Sequence, residues 1–142
     1  MERAPDPYNL QRFLDAQREV YAQVERELLA GRKQSHWMWF IFPQIKGLGQ
    51  SLMAQKYAIS SRAEAKAYLD HEILGRRLCA CTRLVTSLYD VAIEDLFGYP
   101  DHLKFHSSMT LFAHAIEGNL VFADALRKYF RSGYDSETID RL

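Results

Sequence analysis

The chain reads as an all-α protein: a compact single-domain bundle of about seven or eight helices, several of them short. Three observations carry that reading. Apolar residues recur at three- and four-residue steps over long stretches, as the buried stripe of a helix requires. Residues that cap helices sit at the ends of those stretches. No pair of alternating segments joined by hairpin turn residues is present. At 142 residues the whole length, 1–142, fits one domain with a core that needs no disulfide or metal staple.

The first stripe, Leu10, Phe13, Leu14, Val20, Tyr21, Val24 and Leu28, predicts one helix from about Asn9 to Ala30. Asn9 suits its N-cap and Gly31 its C′ position. Gln17 interrupts the stripe; if buried it needs partners, because an unsatisfied polar group costs about 1–3 kcal/mol. Gly31-Arg32-Lys33-Gln34 is a polar connector; the apolar block that follows has no clean period and fits a strand or a short buried helix. A helix capped by Ser35 and ended by Pro43 is favoured because no partner strand is evident. Ile45–Gln50 makes a turn with two glycines, and Ser51 can cap a short helix through Ala54 and Tyr57. Ser61 and Glu64 have capping-box spacing and open a helix to about Asp70. Residues Ile73–Leu88 form another, with Leu74, Leu78, Cys81, Leu84, Val85 and Leu88 inward. Ile93–Phe97 is a short helix closed by Gly98. Pro100 opens one that runs to about Ile116 on a stripe of Phe105, Met109, Phe112 and Ile116. Asn119 caps a helix to about Phe130, and Ser136 caps a short last one.

Composition excludes some functions. Lysine plus arginine equals aspartate plus glutamate at 18 each, so the broad positive field of a nucleic-acid binder is missing and nucleic acid is not expected as a partner. The longest apolar block, Trp37–Pro43, is far short of the roughly 20 residues a membrane helix needs. Cys79 and Cys81, two apart on a helix, point about 200° away from each other and cannot pair. Unpaired thiols suggest a reducing, cytoplasmic setting, and Met1–Tyr8, charged and with Pro5 and Pro7, has no signal-peptide character.

The densest chemistry lies in His36-Trp37-Met38-Trp39-Phe40-Ile41-Phe42-Pro43-Gln44, which holds both tryptophans. Core packing explains such a block by itself. The alternative is a ligand pocket with an aromatic wall, in which His36 and Gln44 supply hydrogen bonds at the edges. A second candidate strip is Asp101, Lys104 and Ser108, with Ser107 beside it, on one face of a helix. Dipole and ion-pair effects account for it structurally. Functionally, a carboxylate, an ammonium and two hydroxyls can hold a phosphate or sugar, or move a proton, with Asp101 the candidate catalytic group. Gln17 and Arg76 complete the candidate set. His102 and His106 have metal-ligand spacing but no third ligand, so no metal is expected, and nothing implies a cofactor. Gly47-Leu48-Gly49-Gln50-Ser51 is explained by turn formation.

These residues also carry a resemblance. Asp6-Pro7-Tyr8-Asn9-Leu10, Arg12-Phe13, Ala16-Gln17, the His36–Gln44 run, Gly47-Leu48-Gly49, Ala67-Tyr68-Leu69 and Asp101-Lys104-Ser107-Ser108-Met109 resemble the bacterial family called domain of unknown function 1810. That family often has proline where this chain has Glu72. The resemblance implies a compact, mainly helical fold and no particular activity. The name calpastatin, sometimes attached to the family, denotes a disordered inhibitor and does not suit so patterned a chain. Ala54-Gln55-Lys56-Tyr57 and Leu74-Gly75-Arg76 are similar, more faintly, to helical N-glycosidases acting on nucleotide derivatives.

Three functions follow as expectations. The first is a helical domain binding a small, nucleotide-like ligand between the aromatic block and the Asp101–Ser108 helix. The second is an N-glycosidase-like enzyme using Asp101. The third is a protein-interaction module, such as a homodimer, built on an exposed aromatic face.

Overall fold

A computed structural model describes residues 5–142; Met1–Ala4, part of the segment read for a signal peptide, lie outside the described residues. Among these there are ten helices, and the elements touching the sheet class amount to one isolated parallel bridge between Ile45 and Ile59. The helices are α1 Gln11–Gln17, α2 Tyr21–Ala30, α3 Met38–Ile41, α4 Leu52–Lys56, α5 Arg62–Asp70, α6 Glu72–Ser87, α7 Ile93–Phe97, α8 Asp101–Ala115, α9 Leu120–Phe130 and α10 Ser136–Asp140. The all-α expectation holds, with more helices than the seven or eight anticipated.

The extra count begins at the first stripe, which is two helices rather than one. Residues 18–20 form a turn, and the halves go to different partners: α1 packs on α3, α2 on α6. A straight rod could not serve both. The cap also differs. Asn9 takes a left-handed φ of 53°, and the carboxylate of Asp6 accepts from Leu10 N–H (2.7 Å) and Gln11 N–H (3.0 Å) in its place. Asp6 meets two of the unpaired donors that every helix start exposes. At the far end Gly31 adopts φ 75° and closes α2 as expected.

Elsewhere the caps largely follow the residue types. Ser51, Ser61 and Asn119 each accept a backbone N–H at the start of their helices. The box at Ser61 is shifted by one residue: Glu64 reaches the N–H and hydroxyl of Ser60 (2.9 and 2.8 Å), not Ser61. Its other oxygen takes the guanidinium of Arg12 at 2.8 Å. Arg12 also donates to the carbonyls of Tyr8, Asn9, Lys56 and Ala58, tying α1 to the start of α5. The last helix is capped by Asp135 rather than Ser136. The end of α6 is closed from outside its own sequence, where Lys128 and Tyr129 of α9 donate to the carbonyls of Thr86, Leu88 and Val85.

α8 lies at the centre, packed by α5, α7, α9 and α10. Its expected one-sided stripe is too narrow a description. Phe105, Met109 and Phe112 are buried, but so are Ser107, Ser108, Thr110 and Leu111, while Ile116 is half-exposed. On a helix covered on several sides, Ser107 and Thr110 satisfy their hydroxyls by donating to carbonyls four residues back, whereas the buried Ser108 hydroxyl has no protein partner. Two aromatic clusters fill the core beside it. Trp37, Phe42, Phe97 and Phe105 meet edge to face or tilted. Phe13, Phe40, Tyr57, Tyr68, Phe112 and Phe122 form the other.

α5 and α6 cross tightly. A Cβ on Gly75 would lie 1.9 Å from the carbonyl oxygen of Leu69, so only glycine lets the two backbones approach this closely. Because the obstacle is backbone, Gly75→Ala should cost roughly 1–3 kcal/mol or more; the check is the urea midpoint against wild type.

The connector between α2 and α3 is organised by Glu27, which is 4% exposed. Its carboxylate accepts from Gln34 N–H (2.6 Å), Ser35 N–H (2.9 Å), Ser35 Oγ (2.6 Å), Trp37 Nε1 (3.0 Å) and Gln23 Nε2 (2.8 Å). Ser35 thus spends its hydroxyl on Glu27, and Trp37, not Ser35, occupies the N-cap of α3. Burial alone would raise the carboxyl pKa. The hydrogen bonds from Ser35, Gln34 and Gln23 outweigh it and hold the pKa at about 2. The folded value is below the ordinary 4.5, so the stabilisation is complete above pH 4.5 and is lost as pH falls toward 2, amounting to about 3 kcal/mol. In denaturant titrations from pH 7 to pH 2, Glu27→Gln should be less stable than wild type at pH 7, and the gap should narrow below pH 4.5.

Candidate functional site

Lys33, in the connector that Glu27 fixes, runs inward until its side chain is only 8% exposed and its ammonium lies 2.8 Å from Asp101 Oδ2. On the way the ammonium sits 5.2 Å from the Trp37 ring centre. From the first turn of α8, Lys104 reaches the other oxygen of Asp101 at 3.7 Å and lies 5.1 Å over the ring of Trp39. The aromatic run and the Asp101 strip are therefore neighbours, joined by two lysines.

The members of the run differ in role. Trp37 is 1% exposed, packed among Phe42 and Phe97, with its N–H on Glu27. It is core. Phe40 and Phe42 are buried too, which leaves no exposed aromatic face in this run to serve an interaction module. Trp39 is half-buried, and its indole N–H has no protein partner. His36 points to solvent, and Gln44 is half-buried.

Gln44, Lys104 and Ser107 line one cleft of ≈ 270 Å³ between the Gln44–Gly49 loop, α8 and the start of α10. Its other lining residues are Leu48, Gly49, Pro100, Leu103, His106, Asp135 and Glu137. Neither tryptophan is among them, so the tryptophan run does not wall this cleft. Ser107 Oγ is 3.1 Å from Asp135 Oδ2, which also accepts from the N–H (3.2 Å) and hydroxyl (2.5 Å) of Thr138. His106 stacks on Phe130 at 4.0 Å and bonds the Gly133 carbonyl through Nε2 at 2.8 Å. A second cleft of ≈ 490 Å³ shares Gln44 and Gly49 and lies toward α4. A third, of ≈ 880 Å³, runs between the end of α6 and the start of α9 and contains none of the candidate residues; size alone does not recommend it.

Other candidates lie elsewhere. Asp101 stands between two ammonium groups and outside the cleft lining. Ser108 is fully buried and its hydroxyl has no protein partner. Arg76 points into solvent, 3.9 Å from Glu72, and Arg77 is the one that turns inward. Gln17, 1% exposed, has the partners its position demands: it donates to the Phe40 carbonyl (2.7 Å) and Tyr68 Oη (3.1 Å) and accepts from Arg77 (3.1 Å). That network is internal to α1, α3, α5 and α6.

Sequence reasoning missed Lys33, Asp135 and Glu137. For Asp135 a signal existed: an aspartate three residues before Thr138 has N-cap spacing. For Lys33, nothing local separates a connector lysine in solvent from one that folds back onto α8.

Both thiols are free, and they differ. Burial pushes Cys81 up to about 12, against a hydrogen bond with Tyr21 that acts the other way. Cys79 is half-buried. Alkylation of the native protein at pH 8, followed by tandem mass spectrometry, should modify Cys79 and leave Cys81 untouched until denaturant is added.

No helix among the described residues is long and apolar enough to cross a membrane. A search of curated proteins finds no match. The chain is 52% identical to the conserved hypothetical protein Rv1873 from Mycobacterium tuberculosis, whose crystal structure was determined at 1.38 Å. The two superpose with a TM-score of 0.95 over 96% of this chain and 98% of that one. The family described as "Protein of unknown function (DUF1810)" matches residues 7–142. With nearly the whole chain matched, the protein belongs to that family.

Proposed function

We propose that this chain binds a small polar ligand in the cleft between the Gln44–Gly49 loop and α8. The observation that carries the reading is the convergence of Gln44, Lys104 and Ser107, from separate parts of the sequence, on one concavity. The carboxamide of Gln44 is not engaged by any side chain or backbone group among the described residues, and it offers both a donor and an acceptor. Lys104 adds a charge held in place by Trp39 and Asp101. Six of the ten lining residues (Gln44, Lys104, His106, Ser107, Asp135 and Glu137) carry polar side chains beside Leu48, Pro100 and Leu103, a lining suited to a polar ligand.

Two features of the earlier expectation lose support. A nucleotide base would find no aromatic ring of the tryptophan run to stack on in this cleft. Asp101, paired with two lysines, is badly suited to stabilise a ribosyl cation, which weighs against the N-glycosidase reading. A homodimer draws no specific observation.

The test is a thermal-melt screen with small sugars, amino acids and nucleosides. A ligand at 100 times its Kd should stabilise by about 2.7 kcal/mol, roughly 5–10 °C for a chain this size. Gln44→Ala and Lys104→Ala should each reduce that shift. A ligand that shifts the wild type and both variants equally, or a screen with no shift at all, overturns the proposal.

A further inference from the structure

We propose that the cleft is built for a zwitterion, a small molecule carrying both a carboxylate and an ammonium, the chemical class of free amino acids. This rests on the ligand-binding reading above and narrows it.

The charges of the lining are separated by sign. At one end, Lys33 and Lys104 share the single carboxylate of Asp101, so the group keeps one net positive charge. Lys33 is the tightly paired member at 2.8 Å, while Lys104 sits 3.7 Å away, so the ammonium with protons to spare is the one on the cleft wall. At the other end stand Asp135 and Glu137, whose carboxylates form no ion pair among the described residues; the Arg141 guanidinium nearby donates to the Glu137 backbone carbonyl at 2.9 Å. Asp135 commits Oδ2 to Ser107 and Thr138 and keeps Oδ1 free. Lys104 and Ser107 are three residues apart on α8, about 4.5 Å along its axis. Ser107, which holds Asp135, thus lies about one helical turn along α8 from Lys104, so groups of both signs line the same short stretch of wall.

Electrostatics then selects the ligand. A simple anion would answer Lys104 but face Asp135 and Glu137; a simple cation would do the reverse. A neutral ligand would strip water from both ends and repay neither.

The experiment is isothermal titration of the full chain with the free L-amino acids. The best binder is then compared with its carboxyl amide, which lacks the negative charge, and with its deaminated acid, which lacks the positive one. Each loss should weaken binding about tenfold or more, the worth of one charge-assisted hydrogen bond. Lys104→Met should act like the amide, and Glu137→Gln should act like the deaminated acid, though more weakly because Glu137 is exposed. If Lys104→Met does not fold, Glu137→Gln, on the surface, still decides. Binding that survives loss of either ligand charge, or that neither variant weakens, overturns the inference. Should a sugar or nucleoside bind at Gln44 and Lys104 while no amino acid does, the zwitterion is wrong and the cleft remains a ligand site. No binder in either series overturns both.

Discussion

The ionised carboxylate of Glu27, held inside the molecule by five hydrogen bonds from Gln23, Gln34, Ser35 and Trp37, sets where everything downstream lies. A buried charge of this kind is costly unless its oxygens are saturated, and here they are. In satisfying Glu27, the chain between α2 and α3 gives up its freedom. Trp37 is locked into the core, the α3 turn begins at a defined point, and Lys33 is directed at Asp101. Glu64 plays a comparable part on the opposite flank, where Arg12 spans from the first helix to the fifth. Both carboxylates act on loops, which have no hydrophobic stripe of their own to position them.

What could be read from the sequence divides along the same line. Stripes, caps and breakers located nearly every helix, because those signals are local: Gly31, Ser51, Ser61, Gly98 and Asn119 each act within one turn of their own position. The failures are non-local. The split of the first helix depends on α3 and α6 competing for its two halves. Glu27 looks like any surface glutamate beside Leu28, and its burial follows only when a loop eight residues later folds back over it. Gln17 could be singled out, since a carboxamide on an apolar stripe is anomalous in place, but its partners Phe40, Tyr68 and Arg77 come from 23 to 60 residues away.

The candidate site shows the same limit. The aromatic run identified the family and lies beside the candidate cleft, while its own rings serve mainly as core. The polar residues that face the cleft arrive from three places: Gln44 after Pro43, Lys104 and Ser107 on α8, and Asp135 with Glu137 near the end of the chain. No spacing in the sequence links the last pair to the others. The link is made by Thr110, whose hydroxyl accepts the backbone N–H of Asp135 at 2.9 Å and so docks the start of α10 against the central helix.

That central helix has a consequence for how the protein can change. Along α8, residues facing the cleft alternate with residues sealed in the core, within the same two turns: Lys104 next to Phe105, Ser107 next to Ser108 and Met109. A substitution on this wall is felt by the packing at once, so the α8 side of the cleft has little room to drift without a loss of folding. The opposite wall is under no such constraint. Gln44, Leu48 and Glu137 are only partly covered or exposed, and sequence divergence among descendants of this fold is expected to accumulate on that side.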